Sequence, residues 1–319
     1  MMARILPEAG SDLWKIITTA IFVALAGVSL CACGDTARET PQLPIVFDRD
    51  FTSVWLLHPN GPTQFLTMGS KPKWSPDHRR VIFLRSEVSA SSANQNVWTS
   101  NVDGTGVRQV THVVPPNQVR FIAFGGHPAV IAYADHDGIW TVRPDGSGAH
   151  EILRDGGDTN ELAISPDGST IAYAYNGSAS APAALKLVGI GGGAQRVAFP
   201  GTSHVCGVSY PSWSPDGRWL AFSLCVDKGG GEGGEGIWLV RPNGRDLHRL
   251  VLAGASPTWS PDGKWIAFNL FHENAQRNGE LSAFVKIHPD GRGLVELTPY
   301  ASEDNPAPGQ PLASQDPDW

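Results

Sequence analysis

The side chains best suited to catalysis or metal binding are scattered along this sequence. Its ten histidines form no His-Glu-x-x-His pair and no cysteine–histidine spacing of the kind that holds zinc. Residues 201–205 (GTSHV) lack the final glycine of a Gly-x-Ser-x-Gly nucleophile turn. The glycine-rich run at 228–236 lacks the Gly-Lys-Ser/Thr ending of a phosphate loop and carries two carboxylates. The sequence therefore predicts no catalytic residues, no metal ligands and no cofactor, and it favours a protein that is not an enzyme.

Two of the four cysteines, Cys206 and Cys225, flank a Ser-Pro-Asp-Gly turn at residues 214–217. If Ser214 and Gly217 are opposed in a hairpin, counting back along both strands puts Cys206 opposite Cys225. Opposed residues of antiparallel strands have Cβ atoms about 4.5–5.5 Å apart, a distance that suits a disulfide. The spacing predicts that bond in an exported chain, whereas a bulge in either strand would leave two independent buried thiols.

The composition favours a β-rich globular protein with many short connections. The 319 residues include 36 glycines and 25 prolines, too many turn formers for a helical bundle or a coiled coil. Eleven tryptophans and twelve phenylalanines supply ample apolar area, which argues against disorder. A net charge of −7 offers no electrostatic footprint for nucleic acid.

The amino-terminal segment has the features of an export signal. An apolar run at residues 16–30 follows two basic residues and is short for a membrane-spanning helix, which needs about 20 residues. The run ends in Leu-Cys-Ala-Cys, which resembles the bacterial lipobox with Cys33 as the lipid-bearing residue. Cys31 fits that motif less well because Leu30 stands where a small residue belongs. The alternatives are an ordinary cleaved signal and an uncleaved anchor.

We therefore expect three parts in the chain. Residues 1–32 form a lipoprotein signal peptide, 33–44 a polar tether, and 45–319 the folded region. The expected product is exported and held to a membrane by lipid, at the cell surface or in the periplasm.

A hairpin motif recurs through the folded region. Trp-Ser-Pro-Asp-Gly followed by an Ile-Ala-Phe-like strand is suited to a tight turn, because proline presets φ, aspartate tolerates the second central position and glycine supplies the left-handed residue. The copies begin at Trp74, Phe124, Ile164, Trp213 and Trp259.

A second hairpin follows each of these. Its Asp-Gly, Asn-Gly or Gly-Gly turns begin at residues 60, 103, 145, 191, 243 and 290, in steps of 43, 42, 46, 52 and 47. Two hairpins make four strands, and four strands repeating every 40 to 50 residues are the signature of a propeller blade. The spacing predicts an all-β, six-bladed propeller of four-stranded antiparallel blades.

At this point the sequence resembles the TolB-type, WD40-like propeller repeat. The resemblance rests on the Trp-Ser-Pro-Asp-Gly hairpins, the Asp-Gly turns and the Leu-Thr pairs at 66–67 and 297–298, and it covers residues 45–319. It implies a propeller found in non-enzymatic envelope proteins and in the accessory propellers of some peptidases and lyases. TolB proteins have an α/β domain where this chain has residues 34–44, so a role in the Tol system does not carry over.

The two ends of the folded region each contain part of one blade. Pro317-Asp318-Trp319 copies Pro257-Thr258-Trp259, while residues 45–67 contain three strands without the first hairpin strand. The sequence therefore predicts one blade built from both termini, with its innermost strand ending at Trp319, which leaves no exposed sheet edge.

Charged residues fall in the predicted blade-joining loops, where propellers open around their channel. The basic residues among them are Lys71, Lys73 and Arg120. The charges either solvate a rim or form a partly acidic mouth that accepts a basic or polar peptide, with Ca²⁺ in the channel as a further possibility. The candidate partner-binding residues are Asp155, Asp158, Glu161, Glu303, Asp304 and Asp316.

Two functions fit this sequence. The first is a non-catalytic, monomeric cell-envelope lipoprotein that binds a protein or peptide partner. The alternative is a propeller enzyme that acts on polysaccharide or peptide in the central channel. Histidines and acids converging on the channel would favour the enzyme.

Overall fold

The computed structural model describes residues 43–49, 51–59, 62–89, 92–154, 158–177, 181–226, 234–274, 279–298 and 315–319. The predicted signal peptide, Cys33 and the tether as far as residue 42 lie outside these ranges. No described segment forms a helix long and apolar enough to cross a membrane.

The described residues form six four-stranded antiparallel sheets, as the repeat predicted. We call them blades 1 to 6, and the first strand named in each is the innermost. Blade 1 contains β24 (Gln315–Asp318), β1 (Ile45–Arg49), β2 (Ser53–Leu57) and β3 (Thr63–Met68). Blade 2 contains β4 (Ser70–Trp74), β5 (Arg80–Ser89), β6 (Ser92–Asn101) and β7 (Arg108–Gln109). Blade 3 contains β8 (Phe121–Gly125), β9 (Val130–Ala134), β10 (Gly138–Val142) and β11 (His150–Arg154). Blade 4 contains β12 (Thr159–Ile164), β13 (Thr170–Tyr175), β14 (Ala184–Gly189) and β15 (Arg196–Pro200). Blade 5 contains β16 (Val205–Trp213), β17 (Leu220–Val226), β18 (Gly234–Val240) and β19 (His248–Val251). Blade 6 contains β20 (Ala255–Trp259), β21 (Ile266–Asn274), β22 (Gly279–Ile287) and β23 (Val295–Glu296).

The ring closes where the two ends of the folded region meet. Strand β24 pairs with β1, with Val46 opposite Asp318, and also contacts the inner strands β20 and β4. The Trp319 side chain is 7% exposed and packs against Ile45 and Ala267 of blade 6. The predicted closure by both termini is confirmed.

The hydrophobic core lies between the blades rather than inside one of them. Each pair of neighbouring blades encloses its own cluster of buried side chains, for example Val46 and Phe83 between blades 1 and 2. Because each sheet is thin, both of its faces are apolar where they meet a neighbour. This packing fixes the inner strands around a central channel.

The serine of the repeated turn has a defined role that hairpin geometry alone does not predict. In blade 5, Ser214 Oγ donates to Asp216 Oδ1 at 2.6 Å and accepts from the Trp219 amide at 2.9 Å. The same two bonds recur at Ser75, Ser165 and Ser260. The hydrogen bond from Ser214 lowers the pKa of Asp216 below its ordinary value. Each copy of the motif is therefore a small network that ties the turn to the strand after it.

Replacing Ser214 by alanine is expected to lower the free energy of unfolding by about 1–3 kcal/mol, because the Trp219 amide loses its acceptor, the buried Ser214 hydroxyl. Urea unfolding at pH 7 measures this, with S203A in an exposed turn as the control that should not change. A carboxyl with a lowered pKa stabilises the fold above its unfolded pKa and stops doing so as pH falls below about 4. The difference between S214A and the unchanged protein should therefore shrink on acidification, and a constant difference would contradict the network.

Candidate functional site

The inner strands of all six blades surround a central cavity of about 400 Å³. Its wall continues into the turns that follow the inner strands, including Pro76, Pro166, Pro215 and Pro261. Cavities of this size lie within the range of ligand-binding pockets. The channel is therefore the candidate functional site of the described region.

β-Bulges interrupt the inner strands of five blades, and in three of them the bulge aims one side chain into the channel. The first residue of the X-Pro-X-Trp segment has a left-handed backbone at Lys71 (φ 50°), Tyr210 (φ 52°) and Ser256 (φ 56°). The previous blade holds two of these amides, with Lys71 N donating to Asp48 Oδ2 at 3.2 Å and Ser256 N to Ser223 Oγ at 3.1 Å. Bulges re-aim side chains, and strained backbone clusters at binding sites. All three bulge residues line the channel.

An ion pair spans the channel in front of blade 3. Lys71 Nζ of blade 2 lies 3.8 Å from Glu161 Oε1 of blade 4, and these side chains are 23% and 16% exposed. The same ammonium lies 4.9 Å from the centre of the Phe121 ring, which the Arg120 guanidinium also approaches at 5.3 Å. This side of the channel therefore combines an aromatic face with charges of both signs.

A second charged pair lies where the ring closes. Asp318 Oδ2 accepts the Trp74 amide at 2.7 Å, and Asp318 Oδ1 lies 3.9 Å from Lys73 Nζ. Burial raises the pKa of Asp318 above its ordinary value, although Lys73 and the Trp74 amide both favour the charged form. Ser212 of blade 5 and Thr258 of blade 6 add hydroxyl groups to the cavity lining. The channel thus offers donors, acceptors and a carboxyl whose pKa is raised by burial.

His78 stands at the turn end of the channel. It occupies the left-handed position (φ 52°) that the sister turns give to glycine, and its ring centre lies 5.5 Å from that of Trp74. Burial lowers the pKa of His78, although Asp318 and Asp77 oppose that effect. His78 and Trp74 also line a neighbouring groove of about 360 Å³ between blades 1 and 2.

The predicted acidic mouth is described only in part. Glu161 lies in the channel wall against Lys71, and the half-buried Asp158 directly precedes β12. Asp316 lies in β24, where only its backbone is described. The remaining three, Asp155, Glu303 and Asp304, lie outside the described residues. The acidic mouth and its partner-binding role therefore stay a prediction.

The placement of four charged residues in loops was wrong. Lys71, Lys73, Glu161 and Asp316 belong to the inner strands β4, β12 and β24, because these strands begin before the repeated aromatic position. Lys71, Lys73 and Glu161 therefore line the channel instead of a loop surface. Sequence reasoning also missed Asp318 and His78 as site residues. Aligning the copies would have found both, since Asp318 occupies the position of Ser212 and Thr258, and His78 that of a glycine.

The predicted disulfide between Cys206 and Cys225 is confirmed, with Cα atoms 5.2 Å apart. The register that predicted it was wrong near the turn, where Trp213 pairs with Leu220. Two bulges shift the pairing further along, so that Gly207 pairs with Cys225 and Cys206 occupies the second bulge. A disulfide is typical of a chain that folds in an oxidising compartment.

Among the side chains that the structure describes, no three of His, Cys, Asp or Glu lie together as metal ligands. The suggestion of Ca²⁺ in the channel stays a prediction.

No protein-family model matches this sequence, and no curated protein matches it. Solved structures are similar to it in fold. TolB from Acinetobacter baumannii has a TM-score of 0.64 and 16% identity, covering 98% of this chain and 74% of that one. An oligogalacturonate lyase from Vibrio parahaemolyticus has a TM-score of 0.57 and 12% identity, covering 88% and 87%. Hydrazine synthase of Kuenenia stuttgartiensis has a TM-score of 0.62 and 14% identity, covering 87% and 46%.

At these identities the likeness is one of fold. The chain has the TolB-type six-bladed propeller that its repeat predicted. Because the neighbours include a TolB and a lyase, the fold leaves binding and catalysis both open.

Proposed function

We propose that this protein is an exported, lipid-anchored envelope protein whose propeller binds a peptide segment of a partner protein in its central channel without transforming it. The observation that carries the proposal is the channel wall. The Lys71–Glu161 pair lies beside the aromatic ring of Phe121. The Lys73–Asp318 pair and the hydroxyl-bearing residues Ser212 and Thr258 also line the channel. An extended peptide presents the same mixture of apolar side chains, charges and backbone amides.

The paired charges set the kind of segment expected. A ligand with a large net charge would leave one member of a pair unmatched in a partly desolvated site, which is costly. A segment with balanced or few charges avoids that cost. We therefore expect a polar, weakly charged segment rather than a strongly basic or acidic tail.

Photo-crosslinking in intact cells tests this function. A photoreactive phenylalanine replaces Tyr210, a half-buried aromatic of the channel wall, and in a matched control it replaces Phe65, which is 48% exposed on the outer strand β3. We expect a discrete protein adduct from position 210 that is absent from position 65. Equal adducts at both positions, or none at 210, would contradict channel binding.

Lipid attachment at Cys33 is tested separately. The C33S variant should lose the mass of the lipid and leave the membrane fraction after cell breakage, because its only proposed anchor is removed. A C33S protein that stays in the membrane fraction would favour an uncleaved anchor.

One observation favours the enzymatic alternative. His78 and Asp318 both line the channel and interact electrostatically. Burial lowers the pKa of the imidazole and raises that of the carboxyl, a pairing suited to acid–base catalysis. The similarity to an oligogalacturonate lyase makes oligogalacturonate the first substrate to test, followed by a denatured protein. New chain ends released by the purified protein, and lost in H78G, would overturn the binding proposal.

A further inference from the structure

We infer that His78 contacts the ligand in the channel. Its imidazole forms a hydrogen bond with a backbone amide group of the bound peptide. The inference rests on the proposed function and names one of its contacts. It starts from a difference between otherwise equivalent turns.

The backbone of the His78 turn matches its sisters. His78 N donates to Ser75 O at 2.8 Å, as Gly168, Gly217 and Gly263 do to their own serine carbonyls. All four residues have left-handed backbones, with φ of 52° at His78 and 68–71° at the glycines. Glycine adopts this conformation freely, whereas any residue with a Cβ is strained there. The fold therefore does not require histidine at this position.

One nitrogen of the His78 imidazole also lacks a hydrogen-bond partner among the described residues. The ring is half-buried against Trp74, and its Nδ1 is shut off from solvent with no hydrogen-bond partner in the described part of the chain. Buried polar atoms nearly always have a partner, so an unpaired one needs an explanation. Strain and an unpaired nitrogen together mark a side chain kept for something other than stability.

The surroundings of His78 indicate what it would bind. The channel and the neighbouring groove both have His78 and Trp74 in their walls, so the imidazole separates two cavities. A ligand in either cavity would therefore lie beside the imidazole. Because its pKa is lowered, the imidazole is neutral near pH 7 and carries one donor and one acceptor nitrogen.

A peptide backbone matches such a ring. It offers a carbonyl to the donor nitrogen and an amide to the acceptor nitrogen, without adding charge beside Lys73 and Asp318. An extended segment lying past His78 would pass from the polar channel towards the groove, whose wall includes Leu43, Pro44 and Leu56. We therefore expect the contact to be made with the main chain of the partner.

Two reciprocal variants test this inference. H78G restores the glycine of the sister turns, so it should melt no lower than the unchanged protein and up to about 4 °C higher. G217H places histidine in the equivalent turn of blade 5, where an added Cβ meets nothing closer than Pro166 Cδ at 3.9 Å. It should melt about 2–4 °C lower through the same backbone strain.

The functional readout is the adduct formed from the photoreactive residue at position 210. We expect H78G to reduce its yield about tenfold, as the loss of one hydrogen bond predicts, and G217H to leave it unchanged. An undiminished adduct in H78G overturns the inference but leaves channel binding intact. A melting temperature of H78G clearly below that of the unchanged protein also overturns it, because His78 would then be a packing residue. If the protein with the photoreactive residue at position 210 and histidine at position 78 forms no adduct, the proposed function itself is contradicted.

Discussion

Removal of Pro317, Asp318 and Trp319 is expected to lower the free energy of unfolding by about 4 kcal/mol or more. Burying one tryptophan removes about 200 Å² from water, worth at most about 5 kcal/mol at 25 cal/mol per Å². Trp319 is 7% exposed, and its indole N–H donates to Leu43 O at 3.0 Å. Truncation also removes the acceptor of the Trp74 amide and leaves Val46 of β1 without its partner in β24.

Urea unfolding followed by tryptophan fluorescence measures this loss. W319A should account for most of it, at about 3–5 kcal/mol. W55A is the matched control, since Trp55 lies half-buried in β2 on the outer side of the same blade. Its loss should be smaller than that of W319A. A truncated protein with the urea midpoint of the full chain would show that the ring does not depend on its last strand.

The fold could be predicted because the same turn motif recurs several times in the sequence. Each Ser-Pro-Asp-Gly copy specifies a hairpin through local φ preferences, and their even spacing counts the blades. The Leu-Thr pairs recur for a similarly local reason. Thr298 Oγ1 accepts the Phe284 amide at 2.9 Å, and Thr111, in the Val-Thr pair at 110–111, accepts the Val97 amide in the same way. Local sequence preferences that recur at a regular spacing therefore determine the type and number of the blades.

The channel could not be predicted in the same way, because its contacts join distant parts of the chain. Trp74 and Asp318 are 244 positions apart, yet the Trp74 amide donates a hydrogen bond to the Asp318 carboxylate. The bulges that aim Lys71 and Tyr210 into the channel depend on how neighbouring inner strands pack. Spacing along one strand cannot reveal which charges face each other across a ring.

His78 combines a feature that the sequence motif shows with contacts that only the folded structure shows. Its place in the turn was readable from the sequence, as a departure from glycine in an otherwise regular motif. Its nearness to Trp74 and Asp318 required the folded ring. Departures from a repeat are therefore useful pointers to function, since regular positions are explained by the fold alone.

The double variant C206S/C225S is expected to lower the free energy of unfolding by about 3 kcal/mol. The disulfide spans a sequence separation of 19, and closing a loop of that length restricts the unfolded chain by about this amount. Cys206 is exposed and Cys225 half-buried, so serine adds little desolvation at either position. Most of the loss should therefore come from the missing covalent link.

Urea midpoints with and without a reducing agent separate the link from the substitutions. Reduction should lower the midpoint of the unchanged protein to that of the double variant and should leave the double variant itself unaffected. Cys206 lies in the second of two bulges that interrupt the pairing of β16 with β17, so backbone hydrogen bonds cannot fully replace the disulfide. Equal midpoints for all four samples would mean that the strand pair holds without the disulfide and that the link contributes nothing to stability.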